Sequence, residues 1–214
     1  MKVAFNKLPK QKQARILKTA TRIFAKQGYF QASIADICKA AGISNGALYV
    51  YFKDKEALYL ACAEHGIGQM SEKLFAWYAK AEGSFFDKLS SIFNEAVKFA
   101  RRNKDLIAVY LDLGSVSYNR FATVLSERVE KAALQFHLEF IEQAQQQGEL
   151  TGKLNARSAA YIVDNHLMTL VFSIVSEHYN KRFFVYFGDS KTPKSPEERV
   201  PIVMASLKAL LGQD

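Results

Sequence analysis

The chain has only two cysteines and four prolines in 214 residues. It also has no run approaching the ~18 uncharged apolar residues that a membrane helix needs. Each shortage excludes something. Cys38 and Cys62 stand in neither a CxxC nor a metal-ligand spacing, so the expectation is two buried, reduced thiols in a cytosolic protein rather than a disulfide framework. The prolines are at 9, 193, 196 and 201, so nothing between Lys10 and Pro193 breaks a helix. The opening MKVAFNKLPKQKQAR is basic but has no apolar stretch after it, which argues against a secretory signal. His65, His137, His166 and His178 form no metal spacing, and no Ser-His-Asp, paired-carboxylate or phosphate-loop signature appears. No metal, no cofactor and no enzymatic activity are therefore expected.

What the chain does have is positive charge in one place. Residues 1–60 carry 11 Lys and Arg against 3 Asp and Glu, an excess of +8; the remainder carries 18 of each. A basic module beside a neutral one is the footprint of polyanion binding, although a solvated basic face has the same count.

Hydrophobic spacing predicts an all-α chain of about nine helices. They fall near 10–27, 34–40, 45–52, 55–80, 85–102, 104–113, 120–147, 156–180 and from 196 onward. Gly28, Gly42 and Gly148 are placed to end helices, and Ser33, Ser44, Asp54, Asn155 and Ser195 to cap them. Gly188 and Pro193 mark a late loop, and Val185, Tyr186 and Phe187 are a candidate short extended piece.

Residues 33–52 read as a helix-turn-helix behind a basic helix, with the 45–52 helix suited to the major groove of DNA. Ser44 and Asn45 begin that helix, and Gly46 allows close approach. Leu48 and Phe52, four residues apart, face inward. Tyr49 and Tyr51 are left for outer surfaces, where a phenol can donate to a phosphate. Ser33, Lys53 and Lys55 complete the predicted contacts, Lys55 at a helix start whose dipole favours an anion. Ordinary core packing is the competing reading for the two tyrosines.

On these residues, GISNGALYVYFKDKEAL resembles the signature of the TetR family of bacterial transcriptional regulators. The match runs through Gly42, Ile43, Ser44, Gly46, Leu48, Tyr49, Tyr51, Phe52, Lys55 and Glu56. Phe24, Gly28, Ile34 and Ala35 extend it upstream, and Ser33 stands where the family usually has Thr. The resemblance covers about residues 10–60. It implies an all-α protein whose first three helices, here within 1–55, bind a palindromic operator in double-stranded DNA. Residues 56–214 would then hold a small-molecule effector and a homodimer interface, with repression relieved by the effector.

Beyond residue 60 lie 19 of the 27 aromatics. Most are expected to be core; Trp77, Phe93, Tyr110 and Phe172 are candidates for lining an apolar or aromatic effector pocket. Asp112 is either a polar group of that pocket or a solvated helix-end carboxylate. The stripes Ile162, Leu167, Leu170, Ile174 and Val203, Leu207, Leu210 suit a four-helix dimer interface. A DNA-bound adaptor acting on a protein partner, with no effector, is the alternative reading.

Overall fold

The computed structural model describes residues 2–114, 121, 123, 130–187 and 195–213. Among them are eleven α-helices, one 3-10 turn and no strand. The chain divides into two compact units. The first is Met1–Gln69 with Asp105–Phe121; the second is Met70–Lys104 with Ala122–Asp214.

The first unit contains α1 (Val3–Asn6), α2 (Lys10–Gln31), α3 (Ile34–Ala41), α4 (Asn45–Tyr51) and the first part of α5 (Lys55–Lys80). The long α2 buries Ile16, Leu17, Ala20 and Phe24. Ile37 of α3, Leu48 of α4, and Leu58 and Tyr59 of α5 are likewise fully buried, α3 packing on α2 and the Tyr59 ring lying 4.8 Å from that of Phe24. Each of the Ile, Leu and Phe side chains among them contributes about 1.5–3 kcal/mol on burial. Gly28 breaks α2 at φ 72° and ψ 166°, a conformation only glycine adopts cheaply, and one further turn follows. Gly42 is left-handed at φ 66°; Ile43 N–H returns to the Cys38 carbonyl at 3.0 Å, closing α3 with a Schellman motif. Of the two glycine stops predicted in this unit, Gly42 ends its helix and Gly28 breaks α2 one turn before its end.

The second part of the first unit is α7 (Lys104–Leu113). A Cβ on Gly66 of α5 would lie 2.8 Å from Leu106 Cδ2, so the glycine is what admits α7. The buried Tyr59 hydroxyl donates to Asp112 Oδ2 at 2.9 Å. Asp112 is a half-buried carboxylate at the end of α7, and this bond makes it the polar anchor of α7 on α5. Both cysteines are buried, and burial pushes the Cys62 thiol up to about 12.

The second unit is built on α6 (Phe85–Arg102), whose inward face buries Leu89, Ile92, Phe93, Ala96, Val97 and Ala100. A capping box of Ser84 and Asp87 starts it. Around it pack α9 (Ala156–Phe172) and α11 (Val200–Leu211), and α8 (Lys131–Gln146) lies along α9. Asn155 caps α9 through the Ser158 amide at 2.9 Å. Arg120, the predicted start of the helix before Gly148, and the loop with Gly188 and Pro193 lie outside the described residues.

Three sequence expectations change here. The helix predicted to reach 180 stops at Phe172, and α10 (Glu177–Phe187) restarts at 114° to it. The corner is fixed by side chains: Ser173 donates to the Leu170 carbonyl, and the Arg199 guanidinium donates to Ser173 Oγ and Asn180 Oδ1. Val185, Tyr186 and Phe187 are helical, not extended. Phe183 against Phe187 (4.8 Å) and Arg182 over Tyr186 (5.0 Å) are i,i+4 pairs that hold them so. The last helix opens with a 3-10 turn, Glu197–Arg199, before α11, and Ser195 caps that turn through the Glu198 amide at 3.4 Å.

Candidate nucleic-acid interface

α3 and α4 form the predicted helix-turn-helix. Ser33 Oγ accepts from the Ala35 and Asp36 amides at 3.2 and 3.4 Å, and Ser44 Oγ accepts from the Ala47 amide at 3.1 Å. Both hydroxyls are thus oriented by the cap, with the O–H proton left for an outside acceptor. Asp54 caps α5 in the same way, from Ala57 N–H at 2.8 Å.

The two faces of α4 differ as the spacing predicted. Leu48 and Phe52 are buried at 0% and 1% exposure, whereas Ser44, Asn45 and Gly46 are exposed, and Tyr49 keeps 49% of its surface in solvent. Nothing inside the protein requires Gly46 to lack a side chain: an added Cβ would meet only Ser44 Oγ, at 4.0 Å. Val50, which the sequence did not single out, is exposed beside Tyr49 at 55%. Its position two residues from Leu48, and so on the opposite side of the helix, was the available signal.

Two predicted contacts are placed differently. Tyr51 is half-buried, its ring centre 6.0 Å from that of Phe5 in an edge-on arrangement. Lys55 turns inward: its ammonium donates to the Phe30 and Ala32 carbonyls, each at 3.1 Å, and lies 4.7 Å from the Tyr29 ring centre. It closes the end of α2 as well as standing at the start of α5. Lys53 is exposed. α1 was not predicted at all; four residues in a polar segment carry no periodicity, and its one signal was the isolated aromatic Phe5.

The effector candidates are scattered. Phe93 is fully buried; Trp77 is half-buried at 6.3 Å from Phe99; Phe172 is half-buried at 5.5 Å from Tyr179. Tyr110 belongs to the first unit, unlike the other three. None of the four lines the groove of about 280 Å³ in the second unit, whose walls are Asn165, His166, Thr169 and Leu170 of α9, Phe183 and Tyr186 of α10, and Val203 and Ser206 of α11. The sequence also missed a part-buried hydrogen-bonded chain centred on His137. Tyr78 hydroxyl meets His137 Nδ1 at 3.3 Å, and His137 Nε2 meets Asp164 Oδ1 at 3.3 Å, with His137 only 3% exposed. Burial, reinforced by the Asp164 charge, pushes the Tyr78 hydroxyl up. Phe136 and Phe140 flank its ring at 4.0 and 4.6 Å. Among the described residues no cluster of His, Cys, Asp or Glu is arranged to hold a metal. No single helix among them is long and apolar enough to cross a membrane.

The predicted dimer stripes are mostly spent inside the unit: Leu167, Leu170, Val203 and Leu207 are buried. The large apolar side chains left exposed on α9–α11 are Tyr161, Val185, Tyr186, Phe187 and Leu210.

Residues 16–62 match the model of the bacterial regulatory proteins of the tetR family. Over 133 residues the chain is 28% identical to the HTH-type transcriptional regulator YuxN of Bacillus subtilis, covering 61% of this chain and 44% of that one. It is 28% identical over 171 residues to the HTH-type transcriptional regulator UidR of Escherichia coli, covering 77% and 80%. The first curated relatives are thus matched over less than two thirds of their length. Among solved structures, the fatty-acid regulator FadR of Bacillus subtilis, in complex with stearoyl-CoA, superposes with a TM-score of 0.73 at 20% identity, over 90% of this chain and 96% of that one. At that identity the likeness establishes the fold.

Proposed function

The chain belongs to the TetR family of bacterial transcriptional regulators, and from that premise we propose that it is a homodimeric repressor released from a palindromic operator by a small, largely apolar or aromatic effector. Residues 1–55 would read DNA, and 56–214 would hold the effector and the partner copy. The protein would act in the cytoplasm, where its operator lies.

The observation that carries the reading is the outer face of α4. Ser44, Asn45, Gly46 and Tyr49 are exposed together, on a helix whose inner face is buried and in the segment that holds the whole basic excess. Ser33, Tyr51 and Lys53 would add phosphate donors, and Lys55 keeps one N–H beyond the two it gives to carbonyls. The exposed side chains of α9–α11 supply an apolar face for a second copy. Two α4 helices one DNA turn apart, about 34 Å, would read the two halves of a palindrome.

The test is binding to duplexes selected by the protein from a random pool. A palindromic consensus is expected, with affinity falling steeply as salt rises. Tyr49→Phe should weaken binding while leaving the melting temperature unchanged. The absence of sequence preference at physiological salt would refute the reading. For the effector, release of the operator is measured against a panel of aromatic compounds and fatty acyl thioesters, the latter being the ligand class in the FadR complex.

A further inference from the structure

The segment ahead of α2 is fastened to α4 by contacts that a helix-turn-helix does not itself require. Lys2 donates from its backbone N–H to the Tyr51 carbonyl at 3.0 Å and from its ammonium to the Tyr49 carbonyl at 2.7 Å. Phe5 is 1% exposed, with its ring 4.8 Å from that of Phe52. The far end of the segment is tied to α2, where Gln13 Nε2 donates to the Leu8 carbonyl at 2.7 Å and the Asn6 carbonyl at 3.2 Å.

α4 needs such help. It has seven residues, well short of the ~12–15 at which an isolated helix becomes even marginal. Ser44 satisfies its first turn, but the carbonyls of its last turn have no partner within the helix. The Leu48 carbonyl takes the Phe52 amide, and Lys2 takes those of Tyr49 and Tyr51. A cation there also complements the negative end of the helix dipole.

We propose that residues 2–8 are a positioning brace for α4. Lys2 and Phe5 fix the helix from its C-terminal and inner sides and so set the preference for operator over other DNA, without contacting DNA themselves. This rests on the reading of α4 as the base-reading helix. Lys2 is a positioning residue: it holds the backbone that carries Tyr49, Val50 and Tyr51.

The test compares wild type, Lys2→Met and Lys2→Arg as full chains, on a duplex selected by wild type from a random pool and on a scrambled duplex. Lys2 is exposed, so its replacement leaves the core intact. Lys2→Met should weaken the selected duplex about tenfold, the worth of one charge-assisted hydrogen bond. Binding to the scrambled duplex and the salt slope should stay as in wild type, and Lys2→Arg should recover most of the loss. Equal losses on both duplexes, with a salt slope lower by about 1, would make Lys2 an ordinary phosphate contact and overturn the proposal. Amide exchange in the free protein gives a readout that does not depend on DNA. Lys2→Met should speed exchange at Leu48–Phe52 and leave α3 unchanged; unaltered protection of α4 also overturns the brace. Wild type selecting no duplex while Lys2→Met still loosens α4 would sink the DNA-reading assignment and leave the brace standing.

Discussion

Replacing Lys55 with Met keeps most of the aliphatic stem and removes the ammonium. That ammonium holds the Phe30 and Ala32 carbonyls, at 3.1 Å each, and the face of Tyr29 at 4.7 Å. A buried hydrogen bond to a charged group is worth about 1.5–3 kcal/mol. Lys55 is half-buried and both bonds are long, so the pair together is nearer about 2 kcal/mol than twice the upper figure. The contact with Tyr29 adds about 0.5 kcal/mol at this exposure. Methionine recovers part of this, because its tail packs on Tyr29. The expected net loss is about 1.5–2 kcal/mol, or about 3–8 °C in melting temperature for a chain of this size. Thermal melts followed by circular dichroism, with urea titrations at 25 °C, measure it. A melting temperature within about 1 °C of wild type would show that the ammonium contributes nothing to the fold and would return it wholly to DNA. The salt slope of operator binding, read on the same variant, says what the remaining N–H does: a fall of about 1 assigns it a phosphate.

Gly46→Leu should leave stability unchanged or raise it by up to about 1 kcal/mol, since glycine is a poor helix former and the site is open. It should abolish operator binding; retained affinity would place the start of α4 away from DNA. Arg199 is 4% exposed, donates to Ser173 and Asn180, and stacks on Phe183 and Phe184. Arg199→Lys should cost about 2–4 kcal/mol, because one ammonium cannot replace a fork that bridges two acceptors while stacked; an unchanged urea midpoint would refute this. The Ser84 hydroxyl, followed by the Ser84 amide, holds the Asp87 carboxyl below the usual range. A depressed carboxyl stabilises the fold above its unfolded pKa, near 4, and that contribution fades as pH falls through the lower folded value. Asp87→Asn should therefore flatten the acid limb of a stability–pH profile below about pH 4, and an unchanged limb would count against the capping box.

Caps and stops made the helices legible from residues 10 to 55, because the boundaries there are written in one or two local residues: Gly28, Ser33, Gly42, Ser44, Asp54; from 56 to 113 apolar spacing alone placed them, and the Ser84–Asp87 capping box went unread. The inner and outer faces of α4 followed from Leu48 and Phe52 alone. What was illegible depends on partners distant in sequence. The corner after Phe172 is made by Arg199, 26 residues beyond Ser173, and without it the apolar spacing runs on unbroken. The inward turn of Lys55 depends on carbonyls 23 and 25 residues earlier. The Tyr78–His137–Asp164 hydrogen-bonded chain joins three helices across 59 and 27 residues. Aromatic content announced a packed second unit but gave no means of choosing which rings face a cavity.

The segment Asp105–Phe121 belongs to the compact unit formed by the first 69 residues, anchored there by Asp112 on Tyr59 and by Leu106 against Gly66. The polypeptide therefore passes from one unit to the other three times, and no single cut separates them. A fragment ending at Gln69 would not be a miniature of the DNA-reading part. It would leave the Tyr59 hydroxyl without its acceptor and the small patch at Gly66 uncovered, and should aggregate or melt early where the whole chain does not. Dissection of this protein calls for a circular permutation or a grafted α7 rather than a truncation.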